Sequence, residues 1–335
     1  MSWRGSLRAY NSAVNSIERS ARRRQRELEL QQKQASKMQE IERAQYEVSV
    51  YENKIDLLLT LHKDCSEILN WKQINSSEPP EIPIRSNHNE KKARYELKSY
   101  KPGFMDKLLN QVDQKVDGLK DAVREAIKID ENKFKKDMHD YEAQLNEWKS
   151  MLELSSRIMN CDPKAYIEAI QQINPFKEIQ EIGAKLRLKN IIRNFIEIDF
   201  YPDDETVIPS ETKSLLRSGK LSIKETPISK LNQMYQDYIC SALLRIAREL
   251  FALVPVEMVF ITAIKKVLNS QTGYMEEKPV LSAAIPRKTM DTINFDLIDP
   301  SDSMGNFIHH MKFNKLNGFT AVEKISPEDI QASVL

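Results

Sequence analysis

Two carboxylates spaced to reach one ligand stand past the middle of the chain. In the stretch NFIEIDFYPDDE, apolar Ile196, Ile198 and Phe200 alternate with acidic Glu197 and Asp199. A period of two is that of a half-buried strand, so Glu197 and Asp199 share one face of it. Two carboxylates on one strand face can hold a divalent cation and set up metal-assisted hydrolysis. An exposed acidic strand face without chemistry is the alternative.

Asp203, Asp204 and Glu205 follow directly. Pro202-Asp203, with Glu276-Glu277-Lys278 far downstream, loosely resembles the pattern of metal-dependent nucleases. The separation is large, and the downstream triplet is expected in a hairpin loop rather than on a central strand. Other chemistry finds less support. None of His62, His88, His139, His309 and His310 has a helical i, i+4 partner, and adjacent His309 and His310 diverge in helix or strand. His62 continues a helical seam and is expected to be packed. Cys65, Cys161 and Cys240 are far apart, odd in number and form no C-x-x-C. Neither a zinc ribbon nor a disulfide framework is readable, and a reducing cytoplasm is expected. No metal site and no cofactor are assigned. Only 8 glycines are present and none forms G-x-G, which argues against a Rossmann or P-loop nucleotide site.

A second chemistry belongs to the N-terminus. Residues 1–26 hold seven arginines against one acid, Glu18. Arg19, Arg22, Arg23, Arg24 and Arg26 are suited to phosphate, because the guanidinium fork donates bidentate hydrogen bonds. Such a cluster would bind nucleic acid in a salt-dependent way. With Trp3, Leu7 and Tyr10 opposite, the segment could also lie on an anionic membrane surface. On a helix, however, Arg22–Arg26 spread around most of the circumference, as on a helix whose arginines simply face water. The net charge of +1 supplies no whole-protein field for either partner.

The elements that must position these groups come in two styles. Trp3, Leu7, Tyr10, Val14 and Ile17 recur at heptad spacing, and so do Ile41, Ala44, Val48, Tyr51, Ile55 and Leu58. Arg24 and Gln31 interrupt the seam between them. A proline-rich connection, with Pro79, Pro80, Pro83 and Pro102, covers residues 71–103. Phe104, Leu108, Val112, Val116, Leu119, Val123 and Ile127 then start a second stripe. Phe134, Met138, Tyr141, Leu145, Trp148 and Leu152 continue it. Each helical stretch runs about 57 residues, or about 85 Å. Equal lengths around a proline-rich turn predict a long antiparallel, coiled-coil-like helical hairpin over 1–160, each stripe covering the other.

Beyond Asp162-Pro163, which can open a helix, the pattern changes. Short strands surround an apolar helix over Ser229–Leu253. VEMVFITAIKKVL and PVLSAAI form a hairpin around Gly273, and the tail is irregular. Residues 161–335 are therefore expected as an α+β head, a small, mostly antiparallel sheet packed on a buried helix. The longest apolar run, Leu250–Ile264, contains Pro255 and Glu257 and cannot span a bilayer. Hydrophobic residues make up 41% and charged residues 30%, which fits a folded chain with long solvated helices.

The combined expectation is a cytoplasmic, non-catalytic adaptor or scaffold that acts through helical protein–protein contacts, with a protein partner or a second copy. The first alternative is nucleic-acid association through the arginine-rich N-terminus. The second is a metal-dependent hydrolase or nuclease using Glu197 and Asp199.

Overall fold

A computed structural model describes residues 40–104, 109, 111–192, 194–202, 207–268 and 272–334. The seam residues Trp3, Leu7, Tyr10, Val14 and Ile17 and the arginines Arg19, Arg22, Arg23, Arg24 and Arg26 lie outside them, as does Asp203. The main helices are α1 (Glu40–Leu59), α2 (His88–Ser99), α3 (Val112–Met159), α4 (Pro163–Ile173), α5 (Ile228–Leu253) and α6 (Pro327–Val334). The strands are β1 (Lys185–Ile192), β2 (Phe195–Tyr201), β3 (Glu211–Leu215), β4 (Leu221–Glu225), β5 (Met258–Leu268), β6 (Met275–Pro286), β7 (Ile308–Asn314) and β8 (Gly318–Thr320). The class is α+β. Contacts divide the described chain into a larger unit, residues 40–74 with 154–334, and a smaller one, residues 75–153.

In the larger unit six strands form one sheet in the order β1-β2-β5-β6-β7-β8, and β3 pairs with β4 alone. The pair β2–β5 is parallel and the other pairs are antiparallel, so the sheet is mixed rather than uniformly antiparallel. Parallel neighbours need a crossover, and α5 supplies it. The register puts Ile196, Ile198 and Phe200 beside Val259, Ile261 and Ala263, and those beside Ile285, Ala283 and Leu281. All nine side chains are fully buried. They form the apolar face expected from the period-two pattern. Helix α5 is buried on every side from Tyr238 to Ala247, a largely apolar run whose two polar residues, Ser241 and Arg245, are paired internally. The expected irregular tail is instead ordered as β7, β8 and α6.

The C-terminal end of α5 is finished by two distant segments. The last carbonyls of a helix have no partner within it and must find donors elsewhere. Trp71 Nε1 donates to Leu253 O at 2.6 Å and Leu69 N to Ala252 O at 2.8 Å. The Arg287 guanidinium donates to Phe251 O, Val254 O and Val256 O at 3.0, 2.7 and 2.8 Å. A cation there also complements the negative end of the helix dipole.

Helix α1 carries the heptad residues Ala44, Val48 and Leu58 buried and Tyr51 and Ile55 half-buried. Its cover differs from the expected one. The face packs on α5 and on the β3–β4 ribbon. Lys213 Nζ to Glu47 Oε2 at 3.0 Å ties ribbon to helix. Gly219 turns the ribbon with φ of +79°, and a Cβ there would meet Ile41 at 3.3 Å.

The smaller unit contains an antiparallel helical hairpin, but with other arms than predicted. Ala93 and Leu97 of α2 pack on Val123, Ala126 and Ile127 of α3. Asp130 of α3 caps the start of α2, accepting from Glu90 N at 2.9 Å and from Asn89 Nδ2 at 2.8 Å. Those bonds hold its carboxyl below the usual range, the Glu90 amide contributing most. The first part of the proline-rich connection, residues 77–85, is therefore not the turn. It runs along α3 as a strap, from Ser77 on Trp148 Nε1 (3.0 Å) to Arg85 on Glu131 (3.2 Å). Eight residues of strap at about 3.1 Å each and seventeen of helix at about 1.5 Å both cover about 25 Å. Ser77, Pro80 and Pro83 are half-buried while Glu78, Pro79, Glu81 and Ile82 are exposed, the period of three of a polyproline helix. The chain reverses between the end of α2 at Ser99 and the start of α3 at Val112.

Candidate functional site

The acidic pair sits where the alternation predicts, on the sheet face opposite α5. Its surroundings were not predicted. Asp199 is 3% exposed rather than solvated, because the segment 322–326 crosses this face as a cover. The cover is tied by Val322 N to Pro279 O at 2.9 Å, Ile325 N to Ser282 Oγ at 3.0 Å, and His310 Nδ1 with Glu323 O at 2.9 Å. Lys324 reaches between the two acids, 2.7 Å from Glu197 Oε1 and 3.0 Å from Asp199 Oδ1. Lys189 adds a longer contact to Asp199 at 3.8 Å. Burial works against the Lys324 ammonium, but the hydrogen bonds to Glu197 and Asp199 outweigh it and hold its pKa above the ordinary lysine value. The positive charge that two carboxylates would seek from a divalent cation is supplied here by the chain itself.

Beneath the cover the register aligns Asp199, Thr262, Ser282 and His310 in one row across β2, β5, β6 and β7. The hydroxyls of Thr262 and Ser282 lie 2.9 Å apart and both are buried. Ser282 also accepts Ile325 N, so its oxygen is committed to fastening the cover.

A second charged cluster lies between α5 and the chain around Ser66. Arg245 Nε contacts Glu249 Oε1 at 2.8 Å, and Arg245 Nη2 reaches Glu178 Oε2 at 3.6 Å. Glu249 is 0% exposed and also accepts Ser66 N at 3.1 Å. Arg245 thus pairs internally, while Arg248 donates to the carbonyls of His62 and Lys63 and lies over the Phe295 ring at 4.1 Å. His62 is a packed residue, with Nδ1 2.9 Å from Ser241 Oγ. Burial, then the charges of Lys63 and Arg248, push its pKa down to about 4. Burial likewise pushes the Cys65 thiol up to about 12, far from a reactive thiolate. Among the described residues no group of three His, Cys, Asp or Glu is placed to hold a metal. No helix among them is long and apolar enough to cross a membrane.

The triplet Glu276-Glu277-Lys278 lies on β6, not in the hairpin loop where it was expected. Lys278 pairs with Glu276 at 2.8 Å, and Glu277 Oε2 lies 3.5 Å from the Tyr201 hydroxyl. A groove of about 560 Å³ lies between α1, β3 and α5, with Tyr51, Ile228, Leu231 and Tyr235 on its walls.

Sequence reasoning located Glu197 and Asp199 but missed Lys324, which is 125 residues away from Asp199 in the chain. Nothing in the local sequence AVEKIS singles Lys324 out. No family model, no curated protein and no solved structure matches this chain.

Proposed function

We propose that this protein is a non-catalytic adaptor or scaffold acting through helical protein–protein contacts. One observation carries the reading. Along α3 the residues Phe134, Met138, Tyr141, Leu145 and Trp148 keep heptad spacing and are only half-buried. An extended strap covers that stripe less fully than a second helix would, since a strap offers no interdigitating side-chain ridges. A seam of this period accepts the apolar face of another helix as knobs into holes. The partner is therefore a helical segment, either of another protein or of a second copy. The hydrolase reading fits less well, because Lys324 would have to leave Glu197 and Asp199 before a cation could take its place.

Paired Met138→Glu and Leu145→Glu substitutions test this. Both positions are solvent-accessible, so the variant should fold. Sedimentation over a wide concentration range and affinity capture should show self-association or a retained helical partner for the native chain, both lost in the variant. A native chain that stays monomeric and retains nothing beyond what the variant retains would overturn the proposal.

A further inference from the structure

A cleft of about 540 Å³ opens on the same sheet face that Lys324 closes farther along. It exists because β2 stops at Tyr201 while the β5–β6 ribbon continues to Leu268 and Met275. The register fixes what looks into it. Lys185 stands beside Tyr201 and Arg187 beside Asp199, so both basic side chains share the face of Tyr201. Lys266 stands opposite Glu277 on the ribbon. Lys185, Arg187 and Lys266 thus share the lining with one carboxylate, Glu277, which lies 3.5 Å from the Tyr201 hydroxyl, while Lys265, also in the lining, has its ammonium over the Tyr235 ring at 4.3 Å. Lys185, Arg187 and Lys266 make no ion pair among the described residues. Arg187 lies over the Tyr201 ring at 5.2 Å, which holds the guanidinium plane while leaving its donors free.

Basic residues also serve to keep edge strands from pairing with other chains. That accounts for Lys185, Arg187 and Lys189 on β1, an edge of the sheet. Lys266 stands on β5 beyond Ala263, the last residue paired with β2, and lines the same hollow, so the basic side chains of two strands converge on one concavity.

We propose that this cleft binds phosphate esters, with Arg187 as the bidentate donor and Lys185 and Lys266 as flanking point charges. A phosphate carries the fork-matching oxygens and the negative charge favoured by cations that make no ion pair among the described residues. The cleft has room for a nucleotide, and its open side lets a longer strand run out. A free nucleotide and a nucleotide within a single strand are the two sources of that chemistry. This site is separate from the seam on α3 and stands or falls without it.

The test uses the full chain and two probes, adenosine triphosphate and a fluorescent single strand of about twelve nucleotides. Each is titrated at about 50 and 200 mM salt. The cleft variant is Lys185→Ala, Arg187→Ala and Lys266→Ala together. The charge-matched control is Lys133→Ala, Lys135→Ala and Lys136→Ala, all exposed on α3. A third protein carries Arg22→Gln, Arg23→Gln and Arg24→Gln. The cleft variant should bind about tenfold more weakly or worse, with the salt slope reduced by about 2, while the control stays within about twofold. Loss for both probes identifies a free nucleotide as sufficient, and loss for the strand alone identifies the polymer. Equal weakening in cleft variant and control overturns the site. So does affinity lost only in the Arg22–Arg24 variant, or a native chain that binds neither probe at low salt. Thermal melting separates these results from misfolding, since all three cleft positions are exposed.

Discussion

One face of the sheet is treated in two ways along its length. Around Glu197 and Asp199 it is roofed by residues 322–330, with Ile325 and Ile330 packed on Phe195, Met258, Phe260 and Ala284. Around Tyr201 it is open, and its charges have the opposite sign. The roofed end answers its own charge, since Lys324 meets both acids at hydrogen-bond distance. The open end leaves Lys185, Arg187 and Lys266 unanswered by the described chain. Charge that the fold neutralises serves the fold. Charge that it leaves exposed in a hollow is available to something else.

The contrast can be broken from the roofed side first. Ile325→Ala removes a side chain that is 2% exposed and should cost about 3 kcal/mol of unfolding free energy in a denaturant titration. Cost below about 1 kcal/mol would mean the roof is not part of the core. Lys324→Met, which keeps the stem and removes the charge, should cost about 2 kcal/mol, because two carboxylates lose their counter-ion in a part-buried place. Its pH dependence sharpens the point. The folded pKa of Lys324 is raised, so its contribution is full below the unfolded lysine value and is lost as pH climbs through the folded one. The native protein should therefore lose stability in strongly alkaline solution by a step that Lys324→Met lacks. Thr262→Val deletes one hydroxyl from the pair with Ser282 and should cost about 1 kcal/mol, read as a lowered melting temperature. The smallest effect belongs to the open side. Alanine at Lys185, Arg187 or Lys266 should change stability by no more than about 0.5 kcal/mol each. A large destabilisation there would show that these cations serve the fold after all.

Much of the larger unit was legible in the sequence because its signals are local. The alternation from Phe195 to Tyr201 needs no partner to be recognised, and neither does the largely apolar run Tyr238–Ala247, broken only by Ser241 and Arg245. What was illegible depends on chain segments meeting from afar. The parallel register of β2 with β5 is set across the whole of α5, and nothing within either strand encodes it. Lys324 is an ordinary lysine until Glu197 and Asp199 are placed beneath it. For α1 the seam itself was readable, but an apolar stripe records only that something covers it. Here α5 and the β3–β4 ribbon do so, where a long helix was expected. The strap misled for a related reason. Proline excludes helix, and that exclusion fits a turn and an extended segment running straight along a neighbour equally well.

The way α5 ends bears on how the protein is made. Its final carbonyls wait for Leu69 and Trp71 from one side and Arg287 from the other. During synthesis the first pair has already emerged when α5 appears, but the guanidinium has not. Until translation passes Arg287, this long helix, buried from Tyr238 to Ala247, is held without all its closing donors and without the complete β5–β6 pair beside it. That interval is when the nascent chain is most prone to aggregate, and shortening it would improve the yield of native protein.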